Sequence, residues 1–161
     1  MSDLTELYQS VILDHNRKPR NKGRPARFDA TADGRNTLCG DECTVWVAYE
    51  GDALADVRFE GQGCAISQAS ASLMTQAVKG KSRAEAEALF ERFHAVVTGR
   101  EAAPDGVRGP LGALAALGGV SRFPIRVKCA SLAWHTLKAA LDRPVGAGTA
   151  AAAAPAPVST E

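Results

Sequence analysis

No stretch of this sequence approaches the roughly 20 uninterrupted apolar residues that a membrane-spanning helix requires, so no membrane partner is expected. Charge of one sign is lacking as well. The 19 Lys and Arg nearly cancel the 18 Asp and Glu, which removes the electrostatic case for nucleic acid or an anionic lipid surface. The opening "MSDLTELYQS" has no basic region followed by an apolar one, so no secretory signal is expected and the chain is assigned to the cytoplasm. Cysteine is scarce, at four residues: Cys39, Cys43, Cys64 and Cys129. In a compartment that keeps thiols reduced, a few scattered cysteines point to metal or catalysis rather than to disulfides.

What is present suffices for one domain with a core. The hydrophobic share is 45%, and 161 residues are too few for two ordinary domains. Leu4, Leu7, Tyr8, Val11 and Ile12 lie at helical spacing, and Pro19 ends that helix. "NRKPRNKGRP" then reads as a solvated basic loop, with an acidic docking partner as the alternative. "ARFDATADG" carries a weak strand signal. "CTVWVAYE" (43–50) and "LADVRFE" (54–60) alternate more strongly, and the Gly51-Asp52 turn between them predicts a hairpin.

After "GQG" the period becomes helical. Ile66, Ala69, Leu73 and Ala77 line one face, with Gly80 as a stop. Ser82 and Glu85 form a capping box before Ala86, Leu89, Phe90, Phe93 and Val97. "PLGALAALGG" is at most a short helix. Pro124 opens a last one with Val127, Ala130, Trp134, Leu137 and Leu141 on one face. The sum is an α+β fold, a single domain over residues 1–145 with a small antiparallel sheet of two to three strands packed against several helices. Residues 146–161 are Ala- and Pro-rich and are expected to be a disordered tail.

Three thiols fall on three different elements: Cys39 in the loop before the hairpin, Cys64 where "GQG" becomes a helix, and Cys129 in the last helix. They can meet only through the fold. At a helix start, backbone N–H groups and the helix dipole favour the Cys64 thiolate. Asp41 is two residues from Cys39, so in an extended segment both side chains project to one side. Cys39, Asp41, Cys64 and Cys129 are therefore candidates for one four-coordinate site. Cys43 competes, because C-x3-C is a zinc-ligand spacing. Fully extended, however, it lies about 13 Å from Cys39, and it continues the Val45–Val47–Tyr49 face. A buried core thiol is the favoured reading, with ligation as the alternative. His15, His94 and His135 read as surface or satisfied structural histidines. "GQG" lacks the Lys-Ser/Thr of a phosphate loop.

Four stretches, "LYQSVILDHNRKPRNKG", "NTLCGDEC", "GQGCAISQASASLM" and "RVKCASLAW", together resemble the iron–sulfur cluster assembly family of the IscU/NifU N-terminal type. Lys128 stands where IscU scaffolds usually carry a histidine, and the extra segment near Gly99 to Phe123 is similar to the SufU branch. That resemblance implies a zinc-dependent sulfurtransferase. Its sulfur acceptor falls on Cys39, and its Zn2+ ligands fall on Cys39, Asp41, Cys64 and Cys129. Arg126 falls near the metal and counts with Cys39 among the catalytic residues. Three thiolates and a carboxylate leave a negative site that Arg126 and Lys128 would offset, and the Asp41 oxygen makes it looser than an all-thiolate site. The implied partners are a SufS-type cysteine desulfurase and downstream cluster assembly proteins. The alternative is an IscU-like scaffold that assembles iron or a 2Fe–2S cluster on the same ligands.

Overall fold

Alternating β-branched and aromatic residues build the centre of the fold. In the computed structural model, which describes residues 2–36, 40–101, 111–142 and 158–159, strands β2 (Asp41–Glu50) and β3 (Ala53–Gln62) pair antiparallel across the Gly51-Asp52 turn. Val45 faces Phe59 and Val47 faces Val57 in this hairpin, and all four side chains are fully buried. Their burial is worth roughly 1.5–3 kcal/mol per large side chain.

The weak signal in "ARFDATADG" is a full strand, β1 (Ala30–Asn36), antiparallel to β2 with Ala32 opposite Val45 and Asn36 opposite Asp41. Its residues have little strand propensity of their own. Pairing and close packing hold it instead: a Cβ on Gly34 would run into the Thr136 hydroxyl and Leu132 of the last helix.

The loop after α1 (Ser2–Arg17) is more than a solvated basic segment. Main-chain groups of Asn21 and Gly23 bond to both the N–H and the carbonyl of Phe59, along the outer side of β3. Further along, Leu54 of β3 bonds to Lys81 and Gly80. On the other side of the sheet, Val158 and Ser159 pair parallel with Gly34 and Arg35 as β4, giving the order β3-β2-β1-β4. These two residues belong to the tail expected to be disordered. They differ from that expectation because β1 has an open edge whose backbone groups can take a strand. Residues 143–157 lie outside the described residues.

The helices after α1 are α2 (Ala65–Val78), α3 (Arg83–Val97), a 3-10 helix (Gly112–Arg122) and α4 (Pro124–Leu141). α2 and α4 pack on the sheet, and the remaining helices pack on them. The Ser82–Glu85 capping box closes in both directions at the start of α3, and Pro124 occupies the first turn of α4. Buried Leu114, Leu117 and Val120 stabilise the 3-10 helix beyond the short helix expected there. Phe93 stacks on Trp134 at 4.7 Å between ring centroids, which locks α3 to α4.

α2 is buried almost all round rather than on one face, with Ser67, Ser70, Ser72 and Thr75 inside. The hydroxyls of Ser70, Ser72 and Thr75 have partners. Ser70 donates to the Ala130 carbonyl of α4 at 2.5 Å, and Ser72 meets the His15 ring at 2.7 Å and accepts the Arg20 N–H. Small, satisfied residues let α2 and α4 approach closely. That approach brings the start of α2 beside the first turns of α4.

Candidate metal centre

The first residue of β2, the residue before α2 and the second turn of α4 converge at one end of the sheet. Ligand atoms of Asp41, Cys64 and Cys129 all lie within 4.8 Å of one another. Four ligands at 2.0–2.3 Å around one tetrahedral ion would stand about 3.5 Å apart, so small rotations suffice to bring these three onto one ion.

Each member is held by its own element. Asp41 is 1% exposed because it continues the buried Cys43–Val45–Val47 face of β2. Its Oδ1 accepts the Cys64 N–H at 3.1 Å. A Cβ on Gly63 would collide with that oxygen and with Ser67 Oγ, so the glycine of "GQGC" is what allows the carboxylate to close on the helix start. Cys64 is the N-cap of α2 and is half-buried; its own side chain makes no capping bond, which leaves the sulfur directed to other work. Cys129 is fully buried, with the Asn36 amide 4.0 Å from its Sγ.

The charge balance agrees with a cation. Asp41 Oδ2 is buried and finds no hydrogen-bond partner among the described residues. Such an orphan costs about 1–3 kcal/mol, and more when charged, unless an ion takes it. One carboxylate and two thiols suit a thiophilic divalent metal such as zinc. Arg126, exposed at the start of α4, reaches the same sulfurs. The negative charge of Cys64 and then of Cys129, with hydrogen bonds to both, raises the guanidinium's pKa above its ordinary value. Lys128 is half-buried one residue before Cys129.

Cys39, the remaining ligand expected from the sequence, lies outside the described residues. Cys43 is a core thiol of β2, 6% exposed, and burial, with the Asp33 charge second, pushes its pKa up to about 12. It has no place among the clustered ligand atoms. The histidines are structural: His15 on Ser72, and His94 and His135 edge-on to each other at 5.7 Å beside Phe90. Asn36 and Gly63 were not legible as site residues. Their signal was only proximity in sequence to Cys39 and Cys64.

The chain matches the model of the NifU-like N terminal domain over residues 7–130. It belongs to that family. Among its relatives is the zinc-dependent sulfurtransferase SufU of Bacillus subtilis (strain 168), 41% identical over 90% of this chain and 96% of the relative. The iron-sulfur cluster assembly scaffold protein IscU of Streptococcus pyogenes serotype M1 is 40% identical over 91% and 90%. The crystal structure of FiSufU from Fervidobacterium islandicum AW-1 superposes with a TM-score of 0.71 at 36% identity, covering 82% of this chain and 94% of that one. This NifU-like domain is thus an α+β member of an iron–sulfur cluster assembly family, with a SufU-type likeness and an Asp-Cys-Cys group of metal-ligand character.

Proposed function

We propose that the chain is a zinc-dependent sulfurtransferase of the SUF system, taking sulfur onto Cys39 from a SufS-type cysteine desulfurase for iron–sulfur cluster assembly. The observation that carries this reading is the mixed donor set with its orphaned carboxylate oxygen, Asp41 Oδ2 beside Cys64 and Cys129. The kinship to a relative named zinc-dependent sulfurtransferase supports it.

Cys39 completes the ligand set. It is joined through Gly40 to Asp41, and chain connectivity keeps the Cα atoms of Cys39 and Asp41 within about 7 Å. A zinc ion in this site supplies the charge that keeps the coordinating sulfurs deprotonated and quiet until needed. Cys129 and Asp41, both buried, anchor the site. Arg126, on the exposed side, offsets the negative charge of Cys64 and Cys129 and gives an incoming anionic persulfide a cationic approach.

In the transfer, the Cys39 thiolate attacks the outer sulfur of the donor persulfide. A new S–S bond forms at Cys39, the donor's S–S bond breaks, and the donor cysteine leaves as a thiolate with its electron pair. The transferred sulfur stays terminal and keeps the negative charge it arrived with. No external oxidant or reductant enters this step.

The scaffold reading stands second, because a relative of nearly equal identity is named as an assembly scaffold and its iron would use the same donors. The deciding assay supplies cysteine, a reductant and a SufS-type desulfurase, and follows alanine. A rise in turnover that Cys39→Ser abolishes supports transfer. No rise, together with uptake of iron and sulfide as a stable cluster, hands the role to the scaffold reading.

A further inference from the structure

Asn36 links two of the elements that form the centre, the start of β2 and α4, although nothing in its own chemistry makes it a ligand. It is fully buried at the end of β1. It sits in register opposite Asp41. Its carbonyl accepts the Gly40 N–H at 2.8 Å, and its side-chain Nδ2 donates toward Cys129 Sγ at 4.0 Å. A buried amide side chain costs free energy unless it is satisfied, so a primary amide at zero exposure calls for a purpose.

Among the described residues, Arg126 and Asn36 both reach Cys129 as donors. Arg126 is exposed, whereas Asn36 is fully buried. A hydrogen bond to a ligand sulfur draws electron density from its lone pairs, which fixes its orientation and lowers its nucleophilicity. Such a bond on Cys129 would suit it to anchor a metal while another sulfur reacts.

We propose that Asn36 is a positioning residue of the metal centre: its amide holds and quiets the Cys129 thiolate from the buried side, while its carbonyl holds the Gly40 N–H next to Asp41. This rests on the zinc-site reading above. The two functions of Asn36 separate cleanly, because the Gly40 N–H is held by the main-chain carbonyl, which any substitution keeps, and only the side chain reaches the sulfur.

The test uses the full chain loaded with Co2+ in place of zinc, read by its thiolate-to-metal charge-transfer absorption, together with zinc affinity from competition with a chromophoric chelator. Asn36→Ala removes the donor and should move the absorption to lower energy. Asn36→Asp keeps the shape but presents an acceptor to the sulfur; it should shift the band likewise and weaken zinc binding by about 10–100-fold. Circular dichroism confirms folding, and the isosteric Asn36→Asp decides the matter if Asn36→Ala does not fold. Wild-type spectrum and affinity in the folded variants would reduce Asn36 to packing and overturn the proposal. A wild-type protein with no thiolate band at all would sink the metal centre itself, and this inference with it, a result distinct from a band that ignores Asn36.

Discussion

Cys43 and Asp41 are two residues apart on the same buried face of β2, yet their surroundings assign them opposite tasks. The thiol is enclosed by core side chains, and with its pKa pushed up to about 12 it stays protonated in the folded state. An unfolded chain titrates it near 9.0, so between roughly pH 9 and 12 the unfolded state has lost a proton that the folded state keeps. Stability therefore falls across that range as pH rises. Cys43→Ala should flatten this alkaline limb in urea titrations, while costing about 1 kcal/mol at neutral pH for the lost volume. Its zinc content should equal wild type, whereas Cys64→Ser should lose most of its metal. Loss of zinc in Cys43→Ala would reverse that assignment. Arg126→Ala should lower desulfurase stimulation about tenfold and zinc content far less, since the guanidinium acts on the sulfurs through charge. Cys43 could be placed from the sequence because strand alternation is a local rule. Asn36 could not, because its sulfur partner is 93 residues away and only the packing of α4 on β1 joins them.

The helices with strong caps and clean periodicity were the legible elements, and the capping box of α3 can be measured. Ser82→Ala leaves the Glu85 N–H without its acceptor and should cost about 1 kcal/mol, read as a lower melting temperature with zinc content unchanged. The seam between α3 and α4 carries a pH response. Burial, and then the neighbouring His94, lowers the pKa of half-buried His135, so the fold favours its neutral form. Phe90 and His94 of α3 face the ring, with Arg100 against His94. Stability should be complete above the unfolded histidine value of about 6.5 and should fall as pH drops below it. His135→Gln should reduce that acid slope; an unchanged slope would locate the response at buried His15, whose pKa burial also lowers. β1 and the 3-10 helix were poorly legible for one shared reason. Ala30, Ala32 and Gly34 have no strand preference, and the Gly-flanked Ala-Leu run has no cap, so each is shaped by what packs on it.

For the molecule as a whole, a metal that bridges β2, the start of α2 and α4 ties together three elements far apart in sequence. Removing zinc with a chelator should lower the melting temperature by at least about 5 °C, because ligand binding to the folded state alone adds to its stability. An unchanged melting curve would show that the site contributes nothing to the fold. Deleting residues 146–161 should leave both zinc content and sulfur transfer unchanged. Two paired residues, Val158 and Ser159, offset little of the roughly 1–2 kcal/mol per residue that ordering a tail costs. The cover on β3 has a further consequence. Asn21 and Gly23 occupy both main-chain groups of Phe59, and Lys81 and Gly80 those of Leu54, so this flank of the sheet cannot recruit a strand from a neighbouring molecule at either point. A hairpin rich in valine and aromatic residues is the kind of segment that seeds fibrils when its flank is bare. The basic loop between α1 and β1 thus closes the β3 flank at Phe59 to a strand from a neighbouring molecule.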